Sequence, residues 1–273
     1  MRMEFQKEME IALQAAGLAG ERILGDYESF VPIPDAPVDI STDTDKASQD
    51  LILSFLVRTF PDDAFCAEEN TPIYTPLRKS GERVWVIDPI DGTRGFAQKN
   101  GEFSVMIGLL VKGIPVVGVV LEPVARRVTF ALRQGGCWSS VDGENPVRCH
   151  VRPTGAVDAS ILIQSHSRDP GKLTRAARLF NPVGIISTHS AGVKLASVAR
   201  GESDIYVNTY NGCHDWDICA GHILVTEAGG RVTDLSGEPL VYGQADFVQP
   251  NGLFGTSGRI HAEVVRLWAT GSQ

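Results

Sequence analysis

Residues 84–97 read Val-Trp-Val-Ile-Asp-Pro-Ile-Asp-Gly-Thr-Arg-Gly-Phe-Ala and end an apolar run with two acids. Only a proline and an isoleucine separate Asp88 from Asp91. A hydrophobic core offers no reason for paired carboxylates, because buried like charges repel each other and lose their hydration. Some other group must therefore compensate the two acids.

The composition is that of an acidic globular protein, with 273 residues, 43% hydrophobic and 21% charged, and a formal net charge of −8. This charge argues against sequence-independent binding to a nucleic acid polymer, which requires cationic patches. The five cysteines form no C-x-x-C pair, which disfavours structural zinc or a disulfide framework and fits a reducing cytosol. Neither a signal-like start nor a membrane-spanning apolar stretch is visible, so we expect a cytoplasmic protein that does not contact membranes.

The spacing of apolar residues predicts both helices and strands. Helices are expected at 3–25, from 42–44 to the stop at Pro61, and at 171–180, 190–200, 215–228 and 259–269. Strands are expected at 63–67 and 84–88, as three strands within 103–132, and at 160–164, 184–188, 204–207 and 231–234. The proline-rich residues 29–40 are expected to form a loop.

This order of elements predicts a layered α/β fold in which helices sandwich the sheets. The one plausible seam lies at 146–158 and is too short for a flexible linker. We therefore expect an N-terminal subdomain, 1–150, that carries most of the acidic motifs. A C-terminal subdomain, 151–273, is expected to pack against it as one unit and to complete the active site.

Three further acidic pairs lie where regular structure is expected to begin or end: Asp43 and Asp45, Glu68 and Glu69, and Asp215 and Asp217. Taken singly, an acid at the start of a helix is usually a cap, and Asp-Gly is usually a turn. If the pairs converge, their hard oxygen atoms suit Mg²⁺, whereas zinc would favour nitrogen or sulfur ligands. A plain turn does not require both acids of the opening stretch.

The motif W-V-I-D-P-I-D-G-T resembles the signature of the inositol monophosphatase-like, lithium-sensitive phosphomonoesterases. Residues 216–230 match the second signature of that family, residues 39–45 match its D-x-x-T-x-x-D motif, and residues 68–69 match its E-E pair. These ordered motifs span most of the chain. The resemblance implies an αβαβα sandwich and a Mg²⁺-dependent phosphatase with two or three metal ions, which lithium should inhibit.

Carried over position by position, the resemblance implies a set of roles. The metal ligands would be Glu68, Asp88, Asp91, Asp217 and the backbone carbonyl of Ile90. The attacking water would be oriented and deprotonated by Asp45 and Thr93, with Glu68 also in the catalytic set. The substrate would contact Gly92, Thr93, Asp217, Lys194 and His166. Asn208 is added as a substrate contact on its own hydrogen-bonding groups, because this segment lacks the charged residues that either branch of the family carries there.

Two branches of the family compete for the substrate. Residues 94–105 resemble the 3′(2′),5′-bisphosphate nucleotidases, and Lys194 lies where those enzymes carry a phosphate-contacting lysine; a solvated helix residue is the alternative. Residues 165–169 resemble a Ser-His loop of the nucleotidases, in which His166 and Arg168 would bind a second phosphate; the alternative is an ordinary surface loop. Asn208 and Tyr210 could hydrogen-bond either a ribose or an inositol.

The sequence thus predicts a phosphomonoesterase that converts adenosine 3′,5′-bisphosphate to AMP and phosphate. The alternatives are an inositol-1-monophosphatase, a phosphatase for another small sugar phosphate or histidinol phosphate, and a catalytically inactive phosphate-binding module. An inactive relic would be expected to lack a ligand, and none is missing. We expect a small phosphorylated metabolite as the partner, and a monomer or a homodimer.

Overall fold

The computed structural model describes residues 4–37, 39–167, 169 and 171–271, and within them the chain forms two β-sheets and seven α-helices. The first sheet comprises β1 (Ala64–Ala67), β2 (Arg83–Asp91), β3 (Ser104–Val111), β4 (Ile114–Glu122), β5 (Arg127–Leu132), β6 (Gly136–Val141) and β7 (Val147–Cys149). These strands lie side by side in chain order. Only the pair β1 and β2 is parallel, and the remaining neighbours are antiparallel.

The second sheet comprises β8 (Ile161–Gln164), β9 (Gly184–Ser187), β10 (Ile205–Asn208), β11 (Arg231–Thr233) and β12 (Leu253–Thr256). Its spatial order is β11-β12-β10-β8-β9. The strands β8, β9 and β10 are parallel, so their carboxyl ends meet at one edge of the sheet. In open α/β sheets this edge is where ligands bind.

The helices fill three layers around these sheets. They are α1 (Gln6–Ser29), α2 (Asp43–Thr59), α3 (Thr93–Ala97), α4 (Arg175–Phe180), α5 (Ala191–Ala199), α6 (Cys219–Glu227) and α7 (His261–Thr270). Apolar faces of α1 and α2 pack on the outer side of the first sheet around the fully buried Trp85. Helices α5 and α6 lie between the sheets, and α4 and α7 cover the outer side of the second sheet. The αβαβα sandwich expected from the sequence is therefore confirmed.

The sequence located most elements but missed three strands and misplaced several ends. Strands β6, β7 and β12 were not predicted, because they are short and carry polar residues or glycine instead of a clear alternation. Helix α1 continues four residues beyond the predicted end, and α4 and α6 each begin four residues late. The first sheet ends with β7 inside the predicted seam and the second begins after it, while the division into subdomains 1–150 and 151–273 stays a prediction.

Strand β2 does not end at Asp88 as predicted but continues to Asp91. Its register with β3 passes from Asp88 opposite Met106 to Asp91 opposite Ser104, with an irregularity between the two pairs. Pro89 has no N–H to donate, and a bulge is where a strand tolerates that loss. The two acids therefore belong to one strand whose pairing is interrupted between them.

No helix in the part of the chain that the structure describes has both the length and the apolar character needed to cross a membrane.

The middle layer packs closely on the first sheet through a glycine of β4. A β-carbon at Gly118 would lie 2.4 Å from the backbone oxygen of Ala220 and 2.4 Å from a methyl group of Ile223, both on α6. Such distances are far below van der Waals contact. Helix α6 can therefore approach the sheet only because this position lacks a side chain.

We expect Gly118→Ala to lower the free energy of unfolding by about 1–3 kcal/mol, because the added methyl group forces α6 away from the sheet. Urea unfolding measures the change. The matched control is Gly17→Ala on α1, where no heavy atom lies within 4 Å of the added carbon apart from the adjacent residues and the backbone of the same helix. There the substitution should be neutral or stabilise by up to about 1 kcal/mol. Equal effects at the two positions would contradict the close-packing interpretation.

Candidate active site

One cavity of about 510 Å³ lies where the ends of β1 and β2 face the carboxyl edge of the second sheet. Its wall contains most of the side chains that the sequence assigned to catalysis, metal binding or the substrate: Glu68, Asp88, Ile90, Asp91, Gly92, Thr93, His166, Lys194, Asn208 and Asp217. Asp45 lies just behind the wall, next to Thr93. The motifs at 39–45, 68–69, 84–93 and 216–230, which are far apart in the sequence, therefore converge on one cavity.

The acids of β2 lie close to the acid that precedes α6. Asp88, Asp91 and Asp217 each have a carboxylate oxygen within 4.8 Å of the others. Asp217 sits in the turn before α6, where its Oδ2 accepts a hydrogen bond of 2.6 Å from the His214 amide. Glu68 reaches the same cavity from the end of β1. Four carboxylates therefore line one cavity.

Asp91 is compensated by the N-terminal end of α5. Its carboxylate accepts hydrogen bonds from the amides of Ala191 at 3.1 Å and Gly192 at 2.7 Å, and from the hydroxyl of Ser190. The Ser190 hydroxyl also caps α5, because it accepts a bond of 2.9 Å from the Val193 amide. Free N–H groups and the helix dipole favour an anion at this end of a helix. The first residues of α5 and its N-cap therefore supply the hydrogen-bond donors that compensate the Asp91 carboxylate.

Asp88 has no such donors. Its side chain is 1% exposed, and its Oδ1 atom has no hydrogen-bond partner among the described residues. Burial raises the pKa of Asp88 well above its ordinary value, and the nearby carboxylates of Glu68, Asp91 and Asp217 raise it further. Burial likewise raises the pKa of Asp217 to about 7, with a contribution from Asp91.

This environment fits divalent cations. The Asp88 Oδ1 atom, which has no hydrogen-bond partner in the described part of the chain and lies among other carboxylates, would be stabilised by a cation bound to it. The donors are hard oxygen atoms, as Mg²⁺ requires. The carboxylates of Glu68, Asp88, Asp91 and Asp217 could hold such ions. Ile90 also lines this cavity, and its carbonyl oxygen, 3.0 Å from the Thr93 hydroxyl oxygen, has lone pairs that a cation can use.

Asp45 joins the start of α2 to the threonine that opens α3. Its Oδ2 accepts bonds from the amide of Thr42 at 2.9 Å and the hydroxyl of Thr42 at 2.5 Å, which form a cap for α2. Its Oδ1 lies 3.0 Å from the Thr93 hydroxyl. Burial raises the pKa of Asp45 to about 6, although the bonds from Thr42 and Thr93 oppose the rise. Asp45 therefore both caps α2 and contacts the Thr93 hydroxyl.

Gly92 turns the chain from β2 into α3 in a conformation that only glycine adopts easily. Its φ is +88°, and a β-carbon would lie 2.7 Å from the Glu102 carbonyl and 3.1 Å from the Ser190 amide. The strand end, α3 and the start of α5 are therefore in close contact at this point. Any side chain here would separate the three elements that carry the site.

Four basic residues, Arg94, Lys194, His166 and His189, line the same cavity as the carboxylates and are called the basic wall. Lys194 is 1% exposed, so the alternative of a solvated helix residue is wrong. Its ammonium donates a bond of 2.9 Å to the His189 carbonyl, and burial lowers its pKa to about 8. His166 is half exposed and lies 2.6 Å from Glu102. Arg168, the other predicted loop residue, lies outside the described residues.

Asn208 and Tyr210 line the opposite part of the cavity, after the end of β10. The Asn208 side-chain oxygen accepts a bond of 2.8 Å from the Tyr210 amide, and the same side chain also hydrogen-bonds Tyr206. Tyr210 is 60% exposed. Both are neutral groups suited to sugar or cyclitol hydroxyls.

Sequence reasoning missed Ser190, Arg94 and the pair Glu102 and His189 as site residues. Ser190 could have been found as an N-cap, since a serine precedes the apolar residues of α5. Nothing local reveals that its hydroxyl and the following amides meet an acid about a hundred residues earlier. Arg94 follows Thr93 directly but reads as an ordinary surface residue.

Comparisons with known proteins agree with this geometry. A sequence profile described as the inositol monophosphatase family matches residues 5–269. The inositol monophosphatase of Mesembryanthemum crystallinum is 32% identical over 236 residues, covering 83% of this chain and 85% of that protein. The 3′(2′),5′-bisphosphate nucleotidase CysQ of Salmonella typhimurium is 33% identical over 243 residues, covering 86% and 93%.

Solved structures give the same result for the fold. The Thermotoga maritima IMPase superimposes with a TM-score of 0.80 at 26% identity, covering 97% of this chain and 98% of that one. An inositol monophosphatase from Anabaena gives a TM-score of 0.77 at 28% identity, covering 98% and 97%. Together with the profile that spans nearly the whole chain, these likenesses assign the protein: it belongs to the inositol monophosphatase family of metal-dependent phosphomonoester hydrolases.

Proposed function

We propose that this chain is a Mg²⁺-dependent 3′(2′),5′-bisphosphate nucleotidase that hydrolyses adenosine 3′,5′-bisphosphate to AMP and phosphate. The observation that carries the substrate assignment is the fully buried Lys194, which lines the same cavity as the carboxylates. A buried ammonium is costly unless anionic groups offset it, and a polyanionic substrate would do so. The similarity to the nucleotidase CysQ supports the same reading.

Inositol-1-monophosphatase is the second candidate. Asn208 and Tyr210 offer neutral hydrogen-bonding groups at the cavity, as a polyhydroxylated ring would need. The inositol monophosphatase of Mesembryanthemum crystallinum is about as similar to this chain as the nucleotidase. The two candidates share the phosphate chemistry and differ in what the rest of the substrate carries.

The carboxylates of Glu68, Asp88, Asp91 and Asp217 and the carbonyl of Ile90 would hold the Mg²⁺ ions. When bound, these ions lower the pKa of water and offset charge on the phosphoryl oxygens. The chain itself supplies the orientation of the phosphate. Lys194 attracts it from the basic wall, and Gly92 lets the backbone approach it without a side chain in between.

Asp45 and Thr93 provide the route for the proton of the attacking water. The Thr93 hydroxyl lies 3.0 Å from Asp45 Oδ1 and can donate to it. The hydroxyl oxygen then has lone pairs with which to accept a hydrogen bond from the water. A base works best when its pKa lies near the operating pH, and the raised pKa of Asp45, about 6, meets this condition. The water's proton thus moves toward Asp45 as its oxygen attacks phosphorus.

We also propose that the enzyme is cytoplasmic and acts on a small phosphorylated metabolite. It would do so as a monomer or a homodimer. All five cysteines are free thiols, which supports a reducing compartment. Neither a nucleic acid polymer nor a membrane is part of this proposal.

We expect Asp45→Asn to lower kcat by about 10²- to 10⁴-fold, because the amide cannot accept the proton. Mg²⁺ binding, followed by calorimetry, should be retained, because Asp45 is not among the proposed metal ligands. The control is Asp43→Asn, an exposed acid in the same helical turn. A normal kcat for Asp45→Asn would contradict the proposed proton route.

We expect Asp88→Asn to raise the melting temperature of the metal-free protein, because the raised pKa of Asp88 makes folding at neutral pH bear the free-energy cost of protonating this carboxyl group, and an amide has no such cost. The same variant should lose both the stabilisation by Mg²⁺ and the release of phosphate. Differential scanning calorimetry with and without Mg²⁺ measures the two effects, with Asp43→Asn again as the control. A variant that is still stabilised by Mg²⁺ as strongly as the wild type would contradict the metal assignment.

Phosphate release from four substrates tests the choice of function. They are adenosine 3′,5′-bisphosphate, inositol 1-phosphate, fructose 1,6-bisphosphate and histidinol phosphate. We expect the highest kcat/KM with the adenosine bisphosphate, and inhibition by lithium in place of one Mg²⁺. A preference for inositol 1-phosphate would establish the second candidate instead. Hydrolysis of none of the four would support an inactive phosphate-binding module.

A further inference from the structure

A side cavity of about 210 Å³ adjoins the main one. The two cavities share three wall residues, Arg94, His166 and His189. The remaining wall of the side cavity is formed by the polar residues Gln98, Asn100 and Ser167. A ligand held at the carboxylates could therefore extend into the side cavity without leaving the protein surface.

Arg94 is the unusual residue of this wall. Its Nε atom is buried and has no hydrogen-bond partner, and no ion pair joins Arg94 to any other described residue. The part-buried guanidinium groups of Arg83, Arg127 and Arg200 all contact carboxylates. A buried N–H of a charged group without a partner is costly. The arrangement is stabilised when an anion from outside the chain reaches this group.

The acid beside the cavity does not serve as that anion. Glu102 accepts a bond of 2.6 Å from His166 and another of 3.1 Å from the His189 amide. Burial lowers the pKa of His189 to about 4, and the positive charges of Arg94 and Lys194 contribute to the shift. Glu102, His166 and His189 are close enough to hold a metal ion, but the nearby cationic side chains of Arg94 and Lys194 disfavour a cation there.

We propose that Arg94 binds the second, non-reacting phosphate of a bisphosphorylated substrate in this side cavity. This inference rests on the proposed function, and it names Arg94 as the residue that separates bisphosphates from monophosphates. Guanidinium groups form paired, charge-assisted hydrogen bonds with phosphate oxygens. Thr93 and Arg94 are neighbours at the start of α3. One short segment would thus orient the attack on the first phosphate and hold the second.

Adenosine 3′,5′-bisphosphate and adenosine 3′-monophosphate differ only in the second phosphate, so their kcat/KM ratio isolates its contribution. We expect the wild type to favour the bisphosphate by about 10- to 100-fold, the range for a hydrogen-bonded charged group. Arg94→Gln should lower this ratio by a similar factor, while Arg94→Lys, which keeps the charge but not the paired donors, should keep part of it. General damage to the site affects both substrates and cancels in the ratio. Arg22→Gln, an exposed ion-paired position on α1, is the control.

An Arg94→Gln variant that keeps the wild-type ratio within twofold would overturn the role of Arg94 and leave the proposed function standing. Equal kcat/KM values for the two adenosine esters in the wild type would also overturn it, with no variant needed. Hydrolysis of inositol 1-phosphate but of neither adenosine ester would reject the proposed function, and the inference with it. Loss of the ratio in Arg94→Gln, with its partial recovery in Arg94→Lys, supports the inference.

Discussion

The arrangement of the site depends on the contact between the Asp91 carboxylate and the N-terminal end of α5. Asp91 ends a strand of the first sheet, while its donors, the residues 190–192, begin a helix of the middle layer. This contact holds an acid that would otherwise be buried without compensation. It also fixes the distance between the two walls of the cavity, because Lys194 lies one turn further along the same helix. The element that compensates the acid thus also carries the cation that faces it.

Asp88 and Asp91 show how one short strand end can serve two purposes. Backbone donors compensate Asp91, so this residue can keep its position whether or not a cation is bound. Asp88 has an oxygen without a partner and lies close to Glu68 and Asp217. Its environment is unfavourable for an ionised carboxylate unless cations are present. The irregular pairing at Pro89 makes this possible, because it lets both acids point into one cavity from a single strand.

The sequence was informative wherever the chemistry lies within a short motif. Residues 88–93 carry their spacing, their turn glycine and their threonine together, so the opening question about paired acids could be answered with Mg²⁺. The motif at 216–230 is equally local. Helices with long apolar stripes were found for the same reason, whereas β6, β7 and β12 were missed because short or polar strands carry no periodic signal. The burial of Lys194 was also unpredictable, because it depends on two sheets closing around α5.

Long-range contacts decide the parts of the site that the sequence left open. Ser190 meets Asp91, and Glu102 meets His166 and His189, through backbone paths of tens of residues. These pairings exist only after the layers have assembled. In the proposed function the carboxylates hold the metal ions that contact the phosphate, so this part of the site would act on any phosphomonoester. Discrimination between substrates must therefore come from the groups that face the rest of the molecule. These groups are the basic wall on one side and Asn208 and Tyr210 on the other. The buried Lys194 and the unpartnered Arg94 favour an anionic group over a neutral ring at the basic wall, because a neutral ring would leave the Arg94 guanidinium without a partner among the described residues.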